Sequence, residues 1–262
     1  MVRVATWNVN SVKARLAHLT QWLRDSAPDI VCLQELKCVS DEFPRMEIED
    51  LGYNLAVHGQ KTYNGVAILS KYPLDDIITA LPGDAEDEQA RYIEAVVSVK
   101  GGVLRVASVY VPNGQDPQSD KFAYKLRFLD RLRAHAATLA MADEACVIGG
   151  DYNVAPYAPD VYAPKALDGT VCYHPLEREK LRALLHSGWY DAFRSLHPAA
   201  QQFTWWDYRG GGYEHGKGLR IDHLLLSPRS IDRLQSCEVD ETTRKLERPS
   251  DHAPVVATLE FS

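Results

Sequence analysis

Short apolar runs rich in β-branched residues recur along this chain, and stretches with helical spacing interleave with them. The runs read as strands at Val2–Asn8, Asp29–Gln34, Tyr53–His58, Gly65–Ser70, Tyr92–Val99, Leu104–Val111, Ala145–Asp151, Ile221–Ser227 and Val255–Leu259. Between them Val12, Leu16, Leu19, Trp22 and Leu23 repeat at helical spacing, as do Phe122, Leu126, Leu129 and Leu132, and then Leu181, Leu184 and Leu185. The last helix is expected to start after Pro175 and to stop at Gly188. This order predicts an α/β fold in one domain spanning 1–262: two stacked mixed sheets with helices packed outside, a four-layer sandwich. The Gly- and Pro-rich stretches Pro112–Pro117, Ala155–Tyr173 and Tyr208–Gly218 read as long loops, which in a compact domain are more often functional than idle.

Several of the strands end in polar groups suited to metals or protons. They are Trp7-Asn8-Val9-Asn10, Leu33-Gln34-Glu35, Gly149-Gly150-Asp151-Tyr152-Asn153 and Leu219-Arg220-Ile221-Asp222, joined by Ser250-Asp251-His252-Ala253-Pro254 ahead of the last strand. Polar groups gathered at one rim of a sheet make an active site. A divalent-metal phosphodiesterase needs a few oxygen ligands, an oriented water and neutralisation of charge at phosphorus. Glu35 suits direct Mg²⁺ ligation, with Asn8 and Asp251 completing the shell directly or through water. Asp151 suits activation of water and Asn153 its orientation. His252 suits donation to a phosphate oxygen while Asp222 holds its ring and favours the charged form. Tyr110 and Asn113 offer a phenol and an amide at another strand end. A Ser-His-Asp hydrolase would compete for Asp222 and His252, but no Gly-x-Ser-x-Gly elbow is present.

Composition bears on partners and compartment. A formal net charge of −7 argues against general nucleic-acid binding, unless a bound cation reverses the local field and a basic face lines the cleft. Candidates for such a face are Lys13/Arg15, Lys121/Lys125/Arg127, Arg209/Lys217/Arg220 and Arg244/Lys245/Arg248. The five cysteines, odd in number and far apart, read as reduced thiols without zinc-site spacing. With no leader-like start and no apolar run near membrane-spanning length, a soluble cytoplasmic protein is expected.

With those residues in view, the chain resembles the exonuclease III family of AP endonucleases, within the endonuclease/exonuclease/phosphatase superfamily that also contains DNase I. The likeness runs from Val2 to Leu259, and its motifs come in family order. Besides the strings above they include Leu36-Lys37, Gly52-Tyr53-Asn54, His58-Gly59-Gln60-Lys61, Tyr63-Asn64-Gly65-Val66-Ala67, Tyr110-Val111-Pro112-Asn113-Gly114 and Trp205-Trp206-Asp207-Tyr208-Arg209. The resemblance implies a DNase I-like sandwich and a Mg²⁺-dependent enzyme, Mn²⁺ substituting, of DNA base excision repair. Such enzymes incise duplex DNA 5′ to abasic sites leaving a 3′-hydroxyl, remove 3′ blocking groups, and in many cases degrade DNA 3′→5′.

The same likeness makes Glu35 the principal metal ligand, with Asn8, Asp151, Asn153, Asp251 and His252 around the metal, and Tyr110, Asp151, Asn153, Asp222 and His252 catalytic. It makes Arg91, Asn113, Lys121 and Arg220 DNA contacts, and gathers Trp205, Leu219 and Ile221 around an extruded abasic sugar. Of Trp205 and Trp206, adjacent on a strand, one is expected in the core and one at the cleft. A monomer with duplex DNA as its partner, no obligate protein partner and no membrane is implied. Asn10 stands where some relatives carry Asp, and Ala155–His174 matches relatives only loosely. Two other readings are a superfamily phosphodiesterase acting on phosphoinositide, sphingolipid or RNA tails, disfavoured by the Tyr110–Gly114 and Trp205–Arg209 strings, and a catalytically dead damage-binding module, disfavoured by the intact polar set.

Overall fold

All of the expected strands are present in the computed structural model, which describes residues 1–261, with ends shifted by no more than two residues. With three further strands, Leu74–Ile78, Tyr190–Asp191 and Leu234–Val239, they form two six-stranded sheets. The first runs in the order Leu234–Val239, Val255–Leu259, Val2–Asn8, Ile30–Gln34, Val66–Ser70, Asn54–His58. The second runs Leu74–Ile78, Tyr92–Val99, Gly102–Tyr110, Cys146–Asp151, Asp222–Leu226, Tyr190–Asp191. Leu74–Ile78 and Leu234–Val239 lack a clear signal because nearly all of their side chains are exposed or only partly buried, and Tyr190–Asp191 is too short to register.

Alternation along each strand divides the core into layers. Val4, Ile30 and Ile68 of the first sheet meet Ile93, Val106, Val147 and Leu224 of the second across the middle. Trp7, Leu33 and Leu69 point the other way, onto Leu19, Trp22 and Leu23 of the Leu16–Ser26 helix. On the far side Val109 and Ile148 receive Phe128, Leu129 and Leu132 from the Asp120–Met141 helix and Leu181 and Leu184 from the Pro175–Leu185 helix. The result is the expected four-layer α/β sandwich. A Cβ on Gly149 would lie 2.9 Å from Leu224 and 3.2 Å from Cys32, and one on Gly150 would lie 2.0 Å from the carbonyl of Val109. These glycines admit neighbouring strands, not substrate.

Among the described residues two ladders are parallel, Val2–Asn8 with Ile30–Gln34 and Gly102–Tyr110 with Cys146–Asp151. Their carboxyl ends lie at the same rim, so Asn8 sits beside Gln34 and Tyr110 beside Asp151. Asp222 opens an antiparallel strand directly opposite Asp151. Because Val255–Leu259 runs antiparallel to the first strand, the segment before it, with Asp251 and His252, returns to that rim too. All five cysteines are free and buried. Among the described residues no helix is long and apolar enough to cross a membrane.

Candidate active site

At the rim, Glu35 is the hub. Its Oε1 accepts from Asn8 Nδ2 at 2.9 Å and from the Tyr110 hydroxyl at 3.0 Å, while Oε2 faces Lys37 Nζ at 2.8 Å. Burial works to raise its pKa, but Lys37 and Asn8 outweigh it and hold the carboxyl below its usual range. Asn8 uses its other amide hydrogen on Asp151 Oδ2 at 2.9 Å, so one side chain ties the two carboxylates together. Tyr110, raised well above the usual phenol value by burial and then by Glu35, stays a neutral donor.

Facing them is a second set of linked groups. Asp222 Oδ2 lies 2.8 Å from His252 Nδ1, and His252 Nε2 lies 3.7 Å from Asp151 Oδ2. Burial alone would lower the histidine, yet the flanking Asp222 and Asp151 carboxylates push it up to about 10. The imidazolium therefore persists at neutral pH. Asp151 is shifted upward, chiefly by complete burial and further by Asp222, against the opposing pull of His252. A buried carboxyl shifted toward neutrality is suited to take a proton. Asp151 Oδ1 accepts from the backbone N–H of Asn153 at 2.9 Å, which stands in the left-handed region at φ 50°.

The donor set fits a hard divalent cation. Ligand atoms of Glu35, Asp151 and His252 lie within 4.8 Å of one another, and two of the three are carboxylates. Glu35 and Asp151 are the residues placed to hold the ion, with Asn8 bridging them. Three of the expected ligands are placed differently. Asp251 stands outside the trio, with Oδ1 taking Asn10 Nδ2 at 2.9 Å and Oδ2 taking the Trp205 indole N–H at 3.0 Å. Asn153 has its side-chain oxygen 3.1 Å from Asn113 Nδ2 and its amide nitrogen 2.9 Å from Val111 O, so both ends are engaged. His252, expected as a ligand, lies between the Asp222 and Asp151 carboxylates, which favour its charged, donating form over a metal-binding one.

The expected DNA contacts divide by burial. Arg91 stacks on the Tyr110 ring at 4.8 Å, and with Lys37, Tyr63, Asn113 and Lys121 it lines a cavity of about 460 Å³ that opens onto Glu35. Arg220 is a correction: it is 1% exposed and its guanidinium is spent on Asp160 at 2.8 Å and Asp191 at 2.7 Å, leaving nothing for a phosphate. Lys125 and Arg244, two others of the presumed basic face, are also buried, Arg244 against the Trp206 and Tyr213 rings. Trp205 and Leu219 line a second cavity, about 330 Å³, with Leu167, Val171, Tyr173 and Lys217. Ile221 does not reach it; it packs beneath with Ala155, Val161 and Cys172. Trp206 is the core member of the tryptophan pair and Trp205 the cleft member.

A carboxylate–amide–carboxylate cluster beside an Asp–His pair, built on the parallel ends of two facing sheets, has counterparts among known proteins. The sequence profile of the Endonuclease/Exonuclease/phosphatase family matches residues 5–252. The chain belongs to this family. It is 33% identical over 98% of its length to an exodeoxyribonuclease III of Haemophilus influenzae (strain ATCC 51907 / DSM 11121 / KW20 / Rd), 99% of which is covered. Among solved structures it is similar to the 3′ phosphatase NExo from Neisseria bound to a product DNA hairpin, with TM-score 0.95, 40% identity and coverage of 99% and 100% of the two chains. It is also similar to an AP endonuclease from Archaeoglobus fulgidus, with TM-score 0.94, 36% identity and the same coverage. The chain is thus a nuclease of the exonuclease III branch of the endonuclease/exonuclease/phosphatase family.

Several residues of this family member's site carry no signal by themselves. Thr204 donates its hydroxyl to Asp222 Oδ2 at 2.6 Å and accepts the backbone N–H groups of Ile221 and Asp222, both at 3.1 Å. It orients the carboxylate that orients the histidine. Ser250 holds the same loop by donating to Asn8 O at 2.7 Å. Lys37 donates to Asn10 Oδ1 at 2.6 Å while pairing with Glu35. Asn10 in turn donates to Asp251, a bond that an aspartate at this position could not make when ionised. A threonine or serine in a loop is ordinary, and only the fold brings these to the rim.

Proposed function

We propose that this chain is a Mg²⁺-dependent DNA repair phosphodiesterase that hydrolyses the bond 5′ to abasic sites in duplex DNA, leaving a 3′-hydroxyl, and removes 3′ blocking groups, with 3′→5′ exonuclease activity on the same ends. The observation that carries the reading is the Asp222–His252 pair, 2.8 Å apart, aimed at an Asp151 tied through Asn8 to Glu35. Incision at abasic sites is supported by likeness to the Archaeoglobus AP endonuclease, and 3′-end chemistry by likeness to the Neisseria phosphatase.

Roles follow from protonation and placement. His252 donates from Nε2 to a non-bridging phosphate oxygen, and Asp222 keeps it charged. Asp151, its Oδ2 beside His252 Nε2 and Asn8, accepts a proton from the attacking water. Tyr110 and Asn113 line the cleft, and their donors, which rest on Glu35 Oε1 and Asn153 Oδ1, turn to the phosphate when substrate binds. Glu35 and Asp151 would hold a divalent cation, which would supply Lewis-acid neutralisation of the developing charge. Arg91 and Lys121 face the DNA backbone, and the cavity between Trp205 and Leu219 takes the abasic sugar. The enzyme acts as a cytoplasmic monomer.

One assay tests this reading. A labelled duplex with a single abasic analogue is run beside nicked duplexes ending in a 3′-phosphate or a normal 3′ end. Cleavage on the 5′ side of the analogue, lost in EDTA and restored by Mg²⁺ or Mn²⁺, is expected; full activity after exhaustive chelation sinks the metal assignment. Binding to abasic duplex without turnover in Mg²⁺ would sink the enzyme assignment.

A further inference from the structure

One buried ammonium at the base of the site has no part in the chemistry above. Lys125, on the inner face of the Asp120–Met141 helix, is 0% exposed. Its Nζ donates to the carbonyl of Asn113 at 3.0 Å and to the carbonyl of Asn153 at 2.7 Å, and it is ion-paired with Glu177, also 0% exposed. An ammonium has three donors and no acceptor, so these partners saturate it. Glu177 is fixed from behind: its Oε1 accepts the His174 backbone N–H at 2.8 Å at the start of the Pro175–Leu185 helix.

A fully buried ion pair is a poor way to gain stability, because removing two charges from water costs about as much as their attraction returns. What this pair does is join two loops. Asn113 follows the strand that ends in Tyr110, and Asn153 follows the strand that ends in Asp151. Asn153 is held at φ 50°, a region unfavourable to side-chain-bearing residues, and rotation back toward ordinary φ would carry its carbonyl off the ammonium. Above the ammonium, Asn113 Nδ2 meets Asn153 Oδ1 at 3.1 Å, and the Asn153 N–H meets Asp151 at 2.9 Å.

We infer that Lys125, anchored by Glu177, is a positioning residue for the reaction: by holding the Asn113 and Asn153 carbonyls it sets the separation of the two loops that present Asn113, Asn153 and Asp151 to the scissile phosphate. The inference rests on the phosphodiesterase reading for its kinetic readout but not for its structural one.

The test replaces the pair by apolar residues of similar size, Lys125→Met with Glu177→Leu, in the full chain. Such an exchange is often neutral for folding. Here it also releases the Asn113 and Asn153 carbonyls and the His174 N–H, so the double variant should fold with a lowered melting temperature. Its kcat on the abasic duplex should fall roughly ten- to a hundredfold at unchanged KM, since a shift near 1 Å at a reacting group costs about that much. Amide exchange read by mass spectrometry should quicken at residues 113–115 and 153–155, apart from the loss of protection expected at His174, whose N–H bonds Glu177. A folded double variant with wild-type kcat overturns the inference, and so does unchanged exchange in those two loops. The exchange arm stands even if the protein proves inactive on DNA. Should the double variant fail to fold, Lys125→Gln retains donors for the carbonyls and should keep more kcat than Lys125→Met; equal or reversed rates overturn the inference.

Discussion

The indole N–H of Trp205 donates to Asp251 Oδ2 at 3.0 Å, so a residue that walls the second cavity also steers the carboxylate next in sequence to His252. The two functions separate by substitution. Trp205→Phe keeps a ring in the cavity and releases Asp251, and should raise the Mg²⁺ concentration needed for half-maximal rate. Trp205→Ala should in addition lower abasic incision more than 3′-phosphate removal, by about 1–3 kcal/mol or roughly ten- to a hundredfold, because a terminal phosphate reaches the cluster without an extruded sugar. Equal losses on both substrates would assign Trp205 to support of Asp251 alone.

Asp222→Asn removes the charge that keeps His252 protonated while keeping the shape. The raised histidine of the parent, at about 10, remains charged throughout pH 7 to 9, so its titration leaves the rate flat there. Without Asp222 the imidazole should lose its proton nearer its ordinary value of about 6.5, and the rate should fall with rising pH across that window. At pH 8 the loss should be on the order of 10²–10³, the scale for removing an electrostatic transition-state contact. A variant with the parental pH profile would exclude Asp222 from this role.

Arg220 and Lys121 should behave oppositely in binding. Lys121 is exposed and lines the cleft, so Lys121→Ala should flatten the log–log dependence of Kd on salt by roughly 0.9. Arg220→Ala should leave that slope intact and instead destabilise the fold by about 3–5 kcal/mol, since it takes the main cation from buried Asp191 and leaves buried Asp160 with Arg194 alone. Urea unfolding beside a salt titration distinguishes them; a changed slope in a folded Arg220 variant would return it to the DNA face.

Asp191 gives that interior network an acid limit. Burial works to raise its carboxyl, but Arg220 and His223 outweigh it and hold the pKa far below the usual range. A depressed folded value means a contribution present above the unfolded pKa, near 3.9, and lost as pH falls from there toward the folded value. Between pH 5 and 3 the parent should lose stability more steeply than Asp191→Asn, approaching a difference of about 1.4 kcal/mol per pH unit. Parallel stability curves would contradict the assignment.

The candidate site residues were legible in the sequence because each lies at or beside a strand end, where the change from apolar run to polar cluster is local. Glu35, Asp151 and His252 could be chosen that way, and the fold brings them to within 4.8 Å. Charge proved a poor guide to the DNA face, since Arg220, Lys125 and Arg244 look like surface cations and are all buried. Whether a cation meets a phosphate or an internal carboxylate depends on Asp160, Asp191 and Glu177, which lie on other elements. Thr204 was equally hidden, because its partner Asp222 is 18 residues away across a hairpin-like return.

The first strand brings Asn8 to the rim and the segment before the last strand brings His252, and Trp7 Nε1 bonds the carbonyl of His252 across 245 residues of chain. Contacts of that span form late, after shorter loops have closed. During synthesis, therefore, a ribosome-bound chain carrying Glu35, Asp151 and Asp222 already in place still lacks its histidine, and the first strand waits with one edge unpaired. Nuclease competence should arrive with the final strand, all at once, and a message cut short before codon 252 should yield an inert product.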